Sequence, residues 1–241
     1  WLALPSNPTV SNRHGDAQYV RNRWIHDMQF LMGHESIHGR FVQLFINGLY
    51  HGLYHLHERP MAGYHASYLG GQPEEYHYTN SARTGSDHGG GNRWTTTWAA
   101  VKSSARTDYE AAKKMIDVEN LADYMLLNFY AGNTWDWSDQ HNWMAGGPRD
   151  PDRGGWKFYC WDSDIILQDV RNNPITMNVP DGLFQQLLAF DDFRVMFRDR
   201  VYKFCFNNGA LTPEKVAASY NYRMEEIFLP IVAETARWQP T

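Results

Sequence analysis

The stretch Asn133-Thr134-Trp135-Asp136-Trp137-Ser138-Asp139-Gln140-His141-Asn142-Trp143 carries most of the chemistry legible in this chain, together with Trp156-Lys157-Phe158-Tyr159-Cys160-Trp161-Asp162-Ser163-Asp164. A Gly/Pro/Asp-rich segment, 146–155, separates the two. Two short aromatic runs on either side of a turn predict a pair of strands. Asp136, Asn142, Asp162 and Asp164 fall at the strand ends. A carboxylate set apart from an Asn/Asp pair is the set that phosphoryl transfer requires. One Asp orients the attacking hydroxyl, while an Asn and an Asp hold Mg²⁺ against the phosphates. Taken singly, each residue has a plainer reading: Asp136 caps a turn after a helix, Asn142 bonds its own turn, and Asp162-x-Asp164 is a solvated turn.

A helix over 117–131 delivers the chain into this stretch. Asp117 serves as its cap, Leu121, Tyr124, Leu127 and Phe129 form its apolar side, and Gly132 stops it. Upstream, Asp16 is a suitable N-cap for a helix over 16–33, with Val20, Trp24, Met28 and Leu31 on one face. Arg23 and Asp27, four apart, are spaced to pair across its surface. Residues 39–58 read as a hairpin, because Asn47-Gly48 supplies the two positive-φ positions of a type I′ turn. Strand alternation puts His51, His55 and His57 on one face, and Tyr50, Tyr54, Leu56 and Glu58 on the other. The three histidines invite a zinc reading, against the plainer one of a solvated or contact face. Gly52 inside the strand marks close approach of another backbone or a ligand.

A short helix over 61–69, ended by Gly70-Gly71, and a strand over 75–79 follow. The Gly-rich segment 81–92 lacks the Gly-Lys-Ser/Thr ending of a phosphate-binding P-loop and reads as a surface loop. Helices are expected over 95–104 and 108–116, then over 181–207, broken near Asp191-Asp192. A last helix over 213–236 starts at Pro213 and kinks at Pro230.

Composition narrows the classes. The 241 residues are 43% hydrophobic, enough for a sizeable core, and carry a net charge of -5 with no long charge run. A basic face for nucleic acid is therefore not expected. No apolar run reaches the roughly 20 residues that span a membrane. Cys160 and Cys205 are too few for a disulfide scaffold; they read as two buried thiols, or as one bridge if the fold brings them close.

The central stretch closely resembles the CotH kinase family of bacterial spore-coat and secreted proteins, an atypical branch of the kinase-like fold. Asn47-Gly48-Leu49-Tyr50-His51-Gly52-Leu53-Tyr54-His55-Leu56-His57-Glu58 resembles the same family's NG-x-Y-x-G-x-Y-x-x-x-E run. The resemblance spans about residues 16–169. It implies an α+β, two-lobed kinase-like fold, with 1–60 as a partial N-lobe and 61–241 as the C-lobe of one domain. The implied activity is transfer of the ATP γ-phosphate to Ser or Thr of a protein substrate, with Mg²⁺, at a secreted, cell-surface or spore-coat location. Asp136 is then the catalytic Asp and Asp162 the Mg²⁺-binding Asp. Asn142 and Asp164 are further metal ligands, and Glu58 and Arg59 lie at the hinge where adenine docks.

Two departures from the pattern matter. Trp135 is inserted before Asp136, so that Asn142 stands six residues after it, where ordinary kinases have five; Asp139 is the fallback. The first lysine is Lys102, so no phosphate-binding Lys precedes the helix at 16–33. A chain that opens on Trp1 leads us to expect an upstream segment carrying that Lys and a glycine loop. Without it, the alternative is a nucleotide-binding pseudokinase or a surface interaction domain.

Overall fold

The computed structural model describes residues 18–81, 93–134, 137–138 and 141–238. Its centre is helix α5, Val118–Tyr130, which begins where the sequence says it should: the Asp117 side chain accepts from the Asn120 N–H at 2.9 Å. Leu121, Tyr124, Met125 and Leu127 are buried. So are the polar Asn120, Asp123 and Asn128, which a buried helix must satisfy by hydrogen bonds to its neighbours.

The predicted strand pair forms. β4, Trp143–Pro148, runs antiparallel to β5, Lys157–Cys160, with Trp143 opposite Cys160. On its other side β4 pairs with β3, Tyr76–Asn80, giving the order β3-β4-β5. Alternation sorts the side chains between two cores. Trp143, Ala145, Phe158 and Cys160 join Trp24, Leu121, Tyr124 and Trp137 in the larger one. Met144 and Tyr159 join Ile37, Tyr64, Tyr76 and Tyr78 in the smaller. The aromatic richness of the sequence is therefore spent largely on packing.

The hairpin is a separate two-stranded sheet, β1 (Gly39–Ile46) and β2 (Leu49–His57). Its turn is the expected one, with Asn47 at φ 50° and Gly48 at φ 80°. The register shifts at Leu44/Phe45, where Leu44 stands opposite Gly52 but Phe45 opposite Tyr50. His51 is the extra residue of this bulge, and a bulge breaks strict alternation. A two-stranded sheet is marginal alone, and this one is held by the C-terminal helix α9, Pro230–Trp238. Buried Glu234 accepts from the Leu53 N–H at 2.7 Å, the Tyr50 hydroxyl at 3.1 Å and the Tyr19 hydroxyl at 3.0 Å. The close approach expected at Gly52 is made by this side chain: a Cβ there would lie 3.3 Å from a Glu234 carboxylate oxygen.

Helix α1 spans Arg21–Leu31, later than the Asp16 start, which lies outside the described residues. Val20, Trp24 and Met28 are buried as expected, but Leu31 is 57% exposed. Arg23, His26 and Gln29 are buried as well, so α1 is enclosed on more than one face. The Arg23–Asp27 pair forms inside rather than across the surface, and Asp27 also takes Arg223 of helix α8, Pro213–Ile227.

The remaining helices are α2 (Ala62–Leu69), α3 (Arg93–Thr107), α4 (Tyr109–Met115), α6 (Leu183–Leu187) and α7 (Asp191–Cys205). The break near Asp191 is therefore real. At Pro230 the chain stops one helix and starts another instead of kinking. Both cysteines are free, Cys160 buried and Cys205 only partly so. No helix among the described residues is long and apolar enough to cross a membrane. The fold is mixed α+β.

Candidate functional site

Asn142 directly precedes β4, and Asp162 lies two residues beyond β5. Because Trp143 stands opposite Cys160, the register brings both to the same end of the hairpin, away from the 149–155 connection. Both have left-handed backbones, Asn142 at φ 65° and Asp162 at φ 53°. That conformation costs an L-residue roughly 1–2 kcal/mol, Asn and Asp tolerate it best, and such outliers gather at functional sites. Asp164, two residues on, is exposed, and its carbonyl accepts from an Arg21 guanidinium nitrogen at 3.4 Å.

The edge of β5 that faces away from β4 is covered by side-chain amides. The Gln29 amide donates to the Phe158 carbonyl at 2.7 Å, and its oxygen accepts from the Cys160 N–H at 3.3 Å. Asn120 accepts from the Phe158 N–H at 2.6 Å. One step further, the Asn22 side-chain oxygen accepts from the Ser163 N–H at 3.0 Å. A buried strand edge must find such partners. Sequence reasoning missed Asn22 and Gln29. The available signal was their spacing of seven, which puts two amides on one face of a largely buried helix.

α5 grips the segment after it in a similar way. The Asn133 amide donates to the Asn128 side-chain oxygen at 2.8 Å, and the Trp137 indole donates to the Tyr124 hydroxyl at 2.7 Å. Asp136 and the fallback Asp139 lie outside the described residues.

Glu58 stands apart from this set. Its carboxylate is engaged within the protein, accepting from the His38 N–H at 3.1 Å and the Tyr68 hydroxyl at 2.6 Å, with the His38 ring nitrogen at 3.0 Å. With His38, Gly39, Arg40, Leu56 and His57 it lines a shallow recess of about 440 Å³. The Arg59 guanidinium lies over the Trp161 ring, 5.1 Å from its centroid, and so links the end of the hairpin to the residue before Asp162. Lys157 pairs with Asp117.

The histidine face is not the one expected. The bulge removes His51, which stacks with Tyr54. His26 of α1 comes in instead, with ring centroids 5.9 Å from both His55 and His57, which are 4.7 Å from each other. Burial holds His26 well below the usual histidine range and lowers His55 to about 3. His57 is lowered too, again chiefly by burial. Among the described residues no group of three or more His, Cys, Asp or Glu is arranged to hold a metal ion, which corrects the zinc reading.

For a divalent cation at the end of the β4–β5 hairpin, the donors present are oxygens: the Asn142 amide and the Asp162 carboxylate. Mg²⁺ takes one or two protein oxygens and fills its octahedron with phosphates and water, whereas an all-protein cage suits other ions. Oxygen donors of this kind are the ones Mg²⁺ takes.

A family model described as CotH kinase protein matches residues 10–240, nearly the whole chain and well beyond the stretch from 16 to 169 that the motifs cover. No curated protein matches the chain.

Proposed function

The chain belongs to the CotH kinase family, and from that premise we propose that it is an atypical protein kinase transferring the γ-phosphate of ATP to Ser or Thr of a protein substrate. The observation that carries this reading is the shared hairpin end of Asn142 and Asp162, both with left-handed backbones. In this reading residues 1–60 form part of an N-lobe and 61–241 the C-lobe, with the recess beside Glu58 receiving the adenine. The family's association with the spore coat makes an exported location part of the same proposal.

Asn142 and Asp162 would hold Mg²⁺, with exposed Asp164 as an outer carboxylate. Held there, Mg²⁺ would supply positive charge against the phosphates of the nucleotide. Asp136 accepts a hydrogen bond from the acceptor hydroxyl and orients its oxygen, a role that needs no large pKa shift. Asn133 and Trp137, fixed to α5 on either side, support that segment. Trp161, one residue before Asp162 and backed by Arg59, closes off that side of the hairpin end.

A second reading, a pseudokinase that binds nucleotide without transfer, is favoured by two observations. The spacing from Asp136 to Asn142 is one longer than in ordinary kinases. Lys102 lies 3.6 Å from Asp181, and Lys157 is paired with Asp117. Thermal shift with Mg·ATP and transfer of labelled phosphate separate the readings. Ligand at a hundred times its dissociation constant stabilises by about 2.7 kcal/mol. We expect Asp162→Ala to abolish that shift and Asp136→Ala to keep it while abolishing transfer. Normal transfer by both variants overturns the assignment, and a shift without any wild-type transfer favours the pseudokinase.

A further inference from the structure

The polar face of α1 binds the backbone of β5 and of the turn that leaves it. Asn22 and Gln29 are seven residues apart, about two helical turns and about 10.5 Å along the axis. Gln29 brackets the Phe158 carbonyl and the Cys160 N–H, and Asn22 meets the Ser163 N–H. Gln29 thus holds the last residues of β5 while Asn22 holds the turn that leaves it, so one helix fixes both. Asp162 sits between the two attachment points, in the conformation an Asp does not adopt by default.

We infer that Asn22, through its hydrogen bond to the Ser163 N–H, is a positioning residue for Asp162, and that α1 thereby sets the affinity of the site for a divalent cation with nucleotide. The inference rests on the reading of Asp162 as the Mg²⁺ ligand. Asn22 is buried, its amide is part of the protein interior, and it reaches Asp162 only through the backbone of the next residue. α1 is in turn fixed to α8 by Arg223, which binds Asp27. A displacement of α1 along its axis would therefore pull the Ser163 N–H away from its acceptor and release the strained turn. In a variant that lacks only the Asn22 amide, Gln29 still holds β5, so the fold survives that loss.

The test uses the whole chain and two readouts. The first is hydrogen exchange of the Ser163 amide in metal-free protein. Wild type is expected to protect it, Asn22→Leu to expose it, and Asn22→Asp, which keeps an acceptor oxygen, to restore protection. The second is titration calorimetry with Mg·ATP, where Asn22→Leu is expected to weaken binding about 10–100-fold, the range typical for outer-shell partners of metal ligands, and Asn22→Asp to recover most of it. Asp162→Asn is the control. If it leaves Mg·ATP affinity unchanged, the kinase-site reading fails. If it abolishes binding while Asn22→Leu binds as wild type does, the positioning role alone is overturned. Should Asn22→Leu not fold, free exchange of Ser163 in the wild-type protein overturns it equally.

Discussion

Asn142 and Asp162 adopt the same left-handed backbone, φ 65° and 53°, at one end of a single antiparallel hairpin. Glycine would hold either conformation without steric cost. Asn142→Gly and Asp162→Gly should each stay within about 1 kcal/mol of wild type, because relief of strain is offset by the added entropy of the unfolded chain. Each should nevertheless lose Mg·ATP binding. Thermal melts paired with nucleotide titration check this, and retained affinity in both variants would remove the pair from the site.

Glu234, only 3% exposed, ties the β1–β2 hairpin to the C-terminal helix through two hydrogen bonds, from Tyr50 and Leu53, and takes a third from Tyr19. Glu234→Ala leaves the Leu53 N–H and two tyrosine hydroxyls short of an acceptor, at a cost of about 1–3 kcal/mol. Glu234→Gln keeps one acceptor oxygen and should cost less. Exchange of the hairpin amides should rise in the alanine variant before that of α5 does. Simultaneous loss of protection in both elements would show that the hairpin is not held by this carboxylate.

Asp123 on α5 is 1% exposed and bonds both His34 and Arg200, the latter through a pair of guanidinium nitrogens. Removing Asp123 leaves Arg200, among the described residues, only the exposed Glu119 as an ion-pair partner, so Asp123→Ala should destabilise by up to roughly 3–5 kcal/mol. Chemical denaturation measures this. A loss below about 1 kcal/mol would indicate the weak coupling typical of exposed pairs.

The cluster of His26, His55 and His57 predicts acid sensitivity. Phe41 and Trp161 pack on these rings, and the charged groups that act on the cluster are the cations Arg23, Arg59 and Arg223. Burial lowers all three histidines, His55 to about 3. The folded state favours the neutral rings, whereas unfolded histidine takes up its proton near pH 6.5. Their contribution is complete above that value and is lost as pH falls from it through the folded values. Denaturation midpoints should drop steadily below about pH 6.5, and less steeply in His57→Gln. A flat profile down to pH 5 would contradict the cluster's burial.

Much of the secondary structure was legible because its signals are local. Asp108 and Asp117 cap α4 and α5 with their own side chains, Asn47-Gly48 dictates the hairpin turn, and Gly70 ends α2. The aromatic alternation around 143 and 158 was enough to pair β4 with β5, whose register puts Asn142 and Asp162 at the same end of the hairpin. Strict alternation failed on β2, because a bulge at one residue changes which face every later side chain joins; Gly52, beside His51, was the one local mark of it.

By itself, then, the sequence determined the order of elements, their caps and turns, and the family to which the chain belongs. Tertiary structure alone decided that Glu234 would reach the hairpin, that Arg23 and Asp27 would be enclosed with Arg223, and that Asn22 and Gln29 would bind the backbone of residues 158–163. The physical reason is the range of the interactions. A cap or a turn is decided by residues a few positions apart, whereas a side-chain amide on α1 finds its partner 129 or 141 residues away only once packing has brought helix and strand edge together.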